Sequence, residues 1–300
     1  MKAEEIQKVL IIGAGTMGQQ IGWICAVHGL SVVLYDIHTD FIGIAAAGVE
    51  KLSARFVRNG HLTGEAATAT RDRMAFLTDP DAAAAGADLV SESVPEDPEL
   101  KGRVLGDFNR RCPAHTIFTT NTSTLLPSQF AEATGRPDRF AALHFHDVSI
   151  SRVVDVMPHP GTSDETTATI RAFALRIGQD PVMLQKENSG YVFNTMLTAV
   201  IGEALTLAAN GVASVADIDR SWMGITHMPT GPFGIMDSIG LTTVWKVSDY
   251  WAGKTKDPKA RANADFVQQF IDQGRLGRKT GQGFYTYAKG EKPVPWDGPR

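Results

Sequence analysis

Through its first 187 residues the chain alternates short, wholly apolar runs with longer stretches at helical spacing, and then drops the apolar runs. Residues 8–12, Lys-Val-Leu-Ile-Ile, are continuous in the manner of a strand covered on both faces. Gly13-Ala14-Gly15-Thr16-Met17-Gly18 follows directly, and Ile21, Ile24, Cys25 and His28 then recur at helical spacing as far as Gly29. Val32-Val33-Leu34-Tyr35-Asp36 is a second buried run. Strand, glycine turn, helix and strand make a βαβ unit, which demands a parallel sheet and a right-handed crossover.

Later strands are expected at 74–77, 89–94, 116–119, 140–145, 153–156 and 181–184. Helices are expected at 81–86, at 97–110, and through Ile170, Phe173 and Ile177. From about Asn188 the period is 3.6. Val192, Met196, Ala199, Val200, Glu203 and Leu207 share one long helix ending at Gly211, and helical patterns continue to Ile271. Alternating elements followed by helices alone predict two domains. The first, 1–187, is an α/β domain with a doubly wound, mostly parallel sheet, and the second, 188–300, is all-helical. The Met and aromatic residues between Trp222 and Phe233 read as core or interface positions of that second domain.

Composition narrows the partners. With 29 Lys+Arg against 33 Asp+Glu, 21% charged and 43% apolar residues, the chain is not a disordered one and lacks the basic excess that nucleic acid requires. Cys25 and Cys112 cannot alone form a disulfide framework or a thiolate metal site. The start MKAEEIQKVL lacks a signal-peptide pattern, and no run approaches the ~20 apolar residues of a membrane span. A soluble, cytoplasmic protein is expected. With no H-x-x-x-H spacing and no carboxylate cluster, no metal is expected.

The glycine turn carries the first chemistry. G-x-G-x-x-G is a weak signal alone, but here it has a strand before it and a helix after it. Gly13, Gly15 and Gly18 permit the tight turn, close approach of the backbone to pyrophosphate, and close helix–strand packing. The helix N-terminus at Ala14, Thr16 and Met17 offers N–H groups to the phosphates. Asp36, about 20 residues on, stands where a carboxylate accepts from the adenosine ribose. Ile37 and His38 follow it with no cation for a 2′-phosphate, so NAD is expected over NADP.

Beyond this Rossmann-type fingerprint, several segments resemble the 3-hydroxyacyl-CoA dehydrogenase family, of the 3-hydroxybutyryl-CoA dehydrogenase type. They are Gly13 to Gly18, Glu92 to Glu96, Thr120-Asn121-Thr122-Ser123-Thr124-Leu125, Asp138 to Phe145, Gly190-Tyr191-Val192-Phe193-Asn194, Gly231-Pro232-Phe233, and Gly277 to Tyr285. They occur in the family's order and span almost the whole chain. The resemblance implies an NAD domain, a helical domain that forms a homodimer, and NAD-dependent oxidation of a 3-hydroxyacyl-CoA. By the same resemblance His144 is the catalytic base and Asp155 its partner acid. Ser123 lies between substrate and nicotinamide, Asn194 comes from the helical domain, and Glu96 and Lys101 line the nicotinamide end.

The chemistry asks for the same groups. Removing hydride from a carbinol carbon requires the O–H proton to leave, so a base with pKa near 7 is wanted. A histidine with a carboxylate on its other nitrogen meets that need. His144 could otherwise be a hydrogen-bonded core residue, Ser123 part of a helix N-cap before Pro127, and Asn194 a buried polar residue.

This chain departs from the family in four places. The usual His-Phe-Phe-Asn-Pro is His144-Phe145-His146-Asp147-Val148, which makes His146 a competing base or a substrate contact. The partner acid is Asp instead of Glu. The segment between His144 and Asp155 looks one residue shorter, and the family's CoA-contacting lysine falls on Asn59. Lys51, Arg55 and Arg58 share one helix face beside an apolar stripe at Phe41, Ala45, Val49, Leu52 and Phe56. Arg55 and Arg58 could cradle CoA phosphates, and a solvated face is the competing reading. Two alternatives to the acyl-CoA reading remain: dehydrogenation of a free hydroxy acid on the same scaffold, and a nucleotide-binding or structural protein without turnover.

Overall fold

The computed structural model describes residues 1–288 and 290–296. They divide into two compact units, Met1–Val192 and a second beginning at Phe193. In this division residues 188–192 stay with the first unit, where Tyr191 is buried against Ala142, Met157 and Leu184.

The first unit is an eight-stranded sheet in the order β3-β2-β1-β4-β5-β6-β7-β8. Its strands are β1 (Lys8–Ile12), β2 (Ser31–Tyr35), β3 (Met74–Leu77), β4 (Leu89–Glu92), β5 (Ile117–Thr120), β6 (Phe140–Phe145), β7 (Val153–Pro158) and β8 (Asp180–Met183). Six helices connect them: α1 (Thr16–Val27), α2 (Thr39–Arg58), α3 (Gly64–Arg71), α4 (Pro80–Ala84), α5 (Pro98–Arg111) and α6 (Asp164–Arg176). Successive strand residues point to opposite faces. Val9, Ile11, Val32 and Leu34 therefore pack with Ile21, Val49, Phe56 and Phe173 of α1, α2 and α6. Leu10, Ile12, Val33 and Tyr35 pack with Ala83, Leu105 and Phe108 of α4 and α5. Helices on both faces are what make the strands read as unbroken apolar runs.

Strands β1 to β6 are parallel, and β7 runs antiparallel to β6. The seven residues 146–152 are too few for a crossover helix, so the chain can only turn back. Two details differ from the sequence reading. α3 was not foreseen, since Gly64–Arg71 is rich in Thr and Ala with no clear apolar stripe. On α2, Ala45, Val49 and Phe56 are buried as expected, but Phe41 is half exposed.

The second unit contains α7 (Phe193–Ala209), α8 (Val215–Thr226), α9 (Pro232–Ile239), α10 (Leu241–Thr255) and α11 (Pro258–Ile271). A two-stranded antiparallel ladder of β9 (Tyr285–Thr286) and β10 (Val294–Pro295) adds to the expected helices. The core joins Leu205, Phe233, Met236, Leu241, Val267, Phe270 and Phe284. Two buried carboxylates fasten it. Asp219 accepts from the amides of Phe233 and Gly234 and from the Tyr285 hydroxyl. Asp237 accepts from the amides of Phe284 and Tyr285 and from the Tyr287 hydroxyl. A Cβ at Gly231 or Gly283 would collide with one of these carboxylates. The Gly-Pro-Phe and Gly-Phe-Tyr segments are thus explained by packing. Burial raises the pKa of both acids despite those hydrogen bonds.

Among the described residues no helix is long and apolar enough to cross a membrane. Cys25 and Cys112 are unpaired and buried. Burial pushes their thiols up to about 12 and about 11.

Candidate active site

Parallel strands place their C-terminal ends on one edge, and the strand order reverses direction on either side of β1, where α/β sheets bind ligands. Gly13 leaves β1 with φ +99°, and a Cβ there would lie 2.7 Å from the Ser93 carbonyl oxygen at the end of β4. A Cβ at Gly18 would strike the Gly13 carbonyl, so α1 can pack this close only with glycine. Gly15 is different: a Cβ there meets nothing within 4 Å. It is also the N-cap of α1, and no side chain caps that terminus. Open space beside the amides of Thr16 and Met17 suits a pyrophosphate. Ala14 sits in the same turn, its amide donating to Asp36 Oδ2 at 2.9 Å while Asp36 Oδ1 accepts from Ile37 at 2.8 Å. Each carboxylate oxygen keeps acceptor capacity for a ribose hydroxyl. The residues present therefore fit the dinucleotide.

A second network lies along β4 and β5. The Glu92 carboxylate is buried and accepts from Lys101 Nζ at 2.7 Å, the Val94 amide at 2.6 Å and the Thr120 hydroxyl at 2.6 Å. Burial nonetheless raises its pKa above the ordinary value, against the opposing effect of Lys101. Lys101 Nζ also reaches the Val94 carbonyl at 3.0 Å and Glu96 Oε2 at 3.4 Å. Glu96 Oε1 in turn accepts from the amides of Ser123 and Thr124 at 3.0 Å and from the Thr122 and Thr124 hydroxyls. Burial works to raise the Glu96 carboxyl, but its hydrogen bonds and Lys101 outweigh that and hold it below the usual range. The ammonium of Lys101 is enclosed by three oxygens, so it acts through Glu96 on the 122–124 loop. Ser123 stands exposed on that loop with its amide donating to Glu96, and the N-cap of the short helix Pro127–Gln129 is Leu126, not Ser123.

His144 and Asp155 are directly opposed in the antiparallel β6–β7 ladder. Opposed residues share a face with Cβ atoms roughly 5 Å apart, close enough for an imidazole to meet even the short Asp side chain. His144 Nδ1 lies 3.1 Å from Asp155 Oδ2, and both side chains are buried. A carboxylate acceptor makes Nδ1 the protonated nitrogen and leaves Nε2 with its lone pair. Tyr191 stacks on the His144 ring at 4.7 Å and 19°. Asn121 Oδ1 accepts from the Phe145 amide at 2.7 Å, tying the loop after β5 to the end of β6. His146, two residues on and on the same face, brings Nε2 to 3.3 Å from the same Asp155 oxygen. Burial would raise the Asp155 carboxyl, but hydrogen bonds from both histidines outweigh it and hold it below the usual carboxylate range.

The structure thus brings together Gly13 to Gly18 with Asp36, Glu96 with Lys101 and Ser123, and His144 with Asp155 and His146. Asn194 falls in the first turn of α7, in the second unit. Arg55 is 3.6 Å from Asp147, while Lys51 and Arg58 are exposed. The sequence reading assigned no role to Tyr191, Asn121 or Glu92, although each lies inside a segment that carried the resemblance. It also missed that His144, His146 and Asp155 place three donor atoms within 4.8 Å of one another, a grouping that could hold a metal ion. No sequence spacing shows this, because the third donor comes from a neighbouring strand.

A dinucleotide turn on β1 and a carboxylate-backed histidine near the same sheet edge define a nicotinamide-dependent dehydrogenase. Comparison with known sequences narrows that class. The chain belongs to the 3-hydroxyacyl-CoA dehydrogenase family, whose NAD-binding domain matches residues 8–188 and whose C-terminal domain matches residues 190–287. A probable 3-hydroxyacyl-CoA dehydrogenase of Caenorhabditis elegans is 33% identical over 292 residues, 95% of this chain and 97% of that protein. The structure of a (S)-3-hydroxybutyryl-CoA dehydrogenase from Ralstonia eutropha is similar with TM-score 0.84 and 33% identity, covering 95% of this chain and all of the other. A diketoreductase acting on dicarbonyl compounds is similar with TM-score 0.87 and 38% identity, covering 94% of this chain and 99% of that one.

Proposed function

We propose that this protein catalyses the reversible oxidation of a 3-hydroxyacyl-CoA to the 3-oxoacyl-CoA with NAD. The observation that carries the reading is the His144–Asp155 pair, opposed across two strands near the sheet edge that bears the dinucleotide turn. The bound nicotinamide supplies the hydride acceptor. The chain's own residues handle the proton. His144 Nε2 takes it from the C3 hydroxyl, Asp155 holds the ring in the required tautomer and stabilises the imidazolium, and Tyr191 fixes the ring plane. Ser123 donates to the C3 oxygen, a role its exposed position on the loop supports. Gly13, Ala14, Gly15, Thr16, Met17, Gly18 and Asp36 hold the dinucleotide, with Glu96 and Lys101 setting the loop at its nicotinamide end. Asn194 completes the residues that the family resemblance assigns to the site.

The test is NADH oxidation with acetoacetyl-CoA. His144→Gln should lower kcat by about 10²–10⁴-fold, the usual worth of a positioned base, with NADH affinity nearly constant. A kcat within tenfold of wild type removes His144 from its role.

A second reading replaces the thioester by a free dicarbonyl or hydroxy acid. The 38% identical diketoreductase favours it. So does the engagement of Arg55 with Asp147, which draws one of the two candidate phosphate-binding guanidiniums toward an acid. The matching free 3-oxo acids and dicarbonyl esters decide between the two readings by kcat/KM. If the stripe binds CoA, Arg55→Gln/Arg58→Gln raises KM for the CoA thioester well above its effect on a pantetheine thioester. Equal effects return the stripe to a solvated face.

The second unit exposes Phe193, Met196 and Leu207 on α7 and Val247, Tyr250 and Trp251 on α10. These support a homodimer through the C-terminal helices, and the two buried, unpaired thiols support a cytoplasmic location.

A further inference from the structure

Two of the departures from the family pattern touch each other. The shortened acid, Asp155, and the histidine at position 146, where the family has Phe, meet at 3.3 Å, and they do so on the same oxygen that receives His144. The His144 and His146 rings lie edge to face, 4.7 Å apart at 75°. His146 belongs to no strand, since β6 ends at Phe145. Its backbone is tied down from both sides: Phe145 donates to Asn121 Oδ1 at 2.7 Å, and the Val148 amide donates to Gln20 Oε1 of α1 at 2.9 Å. Asp147 is anchored as well, accepting from Ser149 and pairing with Arg55 of α2. The loop that looks unlike the family is therefore a braced platform that presents one imidazole to Asp155.

We propose that His146 is a positioning residue for the catalytic pair: it donates from Nε2 to Asp155 Oδ2 and so fixes the short carboxylate against His144 Nδ1. The proposal rests on the reading of His144 as the base. An Asp opposite a histidine has fewer torsions than Glu but also less reach, so its one useful oxygen must be aimed. A buried carboxylate with a single donor would turn toward any other partner. A second imidazole on the same oxygen removes that freedom without competing for Nε2 of His144. It also leaves Asp155 ionised while His144 cycles between neutral and charged forms.

The test compares two replacements of His146. Gln carries an Nε2 donor at nearly the reach of the imidazole, and Phe keeps a ring of similar shape with no donor. Hydrogen bonds to charged groups are worth about 1.5–3 kcal/mol, so His146→Phe should lower kcat by about 10- to 100-fold while KM and NADH affinity change little. His146→Gln should keep kcat within about threefold of wild type. In the Asp155→Asn background, His146→Phe should add almost nothing, because its action passes through that carboxylate. An independent readout needs no turnover. In protein labelled with ¹⁵N-histidine, the hydrogen-bonded Nδ1 proton of His144 should be seen in wild type and in His146→Gln, and broaden or vanish in His146→Phe. If the wild type fails to turn over any 3-oxoacyl-CoA, the substrate reading falls, and the imidazole signals still decide the role of His146. The proposal is overturned if His146→Phe retains wild-type kcat and the same His144 signal. It is equally overturned if Gln is as impaired as Phe, which would make the imidazole itself the reactive group, or if the Phe effect persists undiminished beside Asp155→Asn. Should Phe not fold, His146→Leu takes its place in each comparison.

Discussion

Replacing Lys101 by Met separates two roles that look alike in the sequence, contact with the cofactor and support of the loop beside it. The ammonium is 1% exposed and lies 2.7 Å from Glu92 and 3.4 Å from Glu96. Removing one partner of a buried ion pair costs about 3–5 kcal/mol, because the other charge stays buried and uncompensated. Glu92 keeps two donors here, the Val94 amide and the Thr120 hydroxyl, which places the expected loss near the lower bound, about 3 kcal/mol. That is a large share of a typical stability of about 5–15 kcal/mol. Urea unfolding, with amide exchange read on β4 and β5, measures it. Adding Glu92→Gln removes the stranded charge and should restore at least half of the loss. Glu96 also loses its cation, so the 122–124 loop loosens and NADH should bind about tenfold more weakly, equivalent to ~1.4 kcal/mol. A Lys101→Met protein within about 1 kcal/mol of wild type would refute the reasoning, since a buried pair cannot be broken that cheaply. Weakened NADH binding without any stability loss would instead make Lys101 a direct cofactor contact.

Three further outcomes are expected. NADH should be preferred over NADPH by about 10³-fold in kcat/KM, because like charges about 4 Å apart repel by ~4 kcal/mol at an effective dielectric constant of 20, and Asp36→Ser should narrow the ratio at least tenfold; comparable efficiencies for both nucleotides would contradict the role of Asp36. Gly283→Ala should lower the melting temperature of the second unit by roughly 5–10 °C, since the added Cβ displaces Asp237 from the Phe284 and Tyr285 amides, and a melting temperature unchanged within error would show that Asp237 can move aside. Because the Asp155 pKa is lowered in the folded protein, its contribution to stability is present above the unfolded carboxylate value of about 3.9 and lost as pH falls through the lowered one. The stability difference between wild type and Asp155→Asn should therefore shrink as pH falls below about 4, and a difference that stays constant from about pH 5 down to pH 2 would contradict that contribution.

The sheet was legible because burial on both faces writes itself as continuous apolar runs. The run at 140–145 coincides with β6, and 74–77 with β3. The dinucleotide turn was legible because its requirements are local: Gly13, Gly15 and Gly18 each answer a backbone demand within a few residues. What stayed hidden depends on register. Nothing in the sequence fixes which residue of β7 faces His144, since a one-residue slip would turn Asp155 to the other side of the sheet. The resemblance supplied that pairing, and the ladder shows its physical basis. Lys101 was placed at the cofactor by the same resemblance, but a sequence cannot show that three oxygens already surround its ammonium.

His146 shows most plainly where reading by residue type stops. In the sequence it competes with His144 for the same role, because each is an imidazole with strand alternation placing both on one face. The competition disappears once Asp155 is seen between them. One oxygen receives both rings, at 3.1 and 3.3 Å, so the nitrogen each ring spends on the carboxylate differs: Nδ1 for His144 and Nε2 for His146. A ring that spends Nδ1 keeps Nε2, its outermost atom, for a substrate. A ring that spends Nε2 turns Nδ1 back toward its own main chain. Under the proposed reaction this geometry supports His144 as the group that takes a proton from a hydroxyl beyond the ring, and His146 as the group that holds its acid.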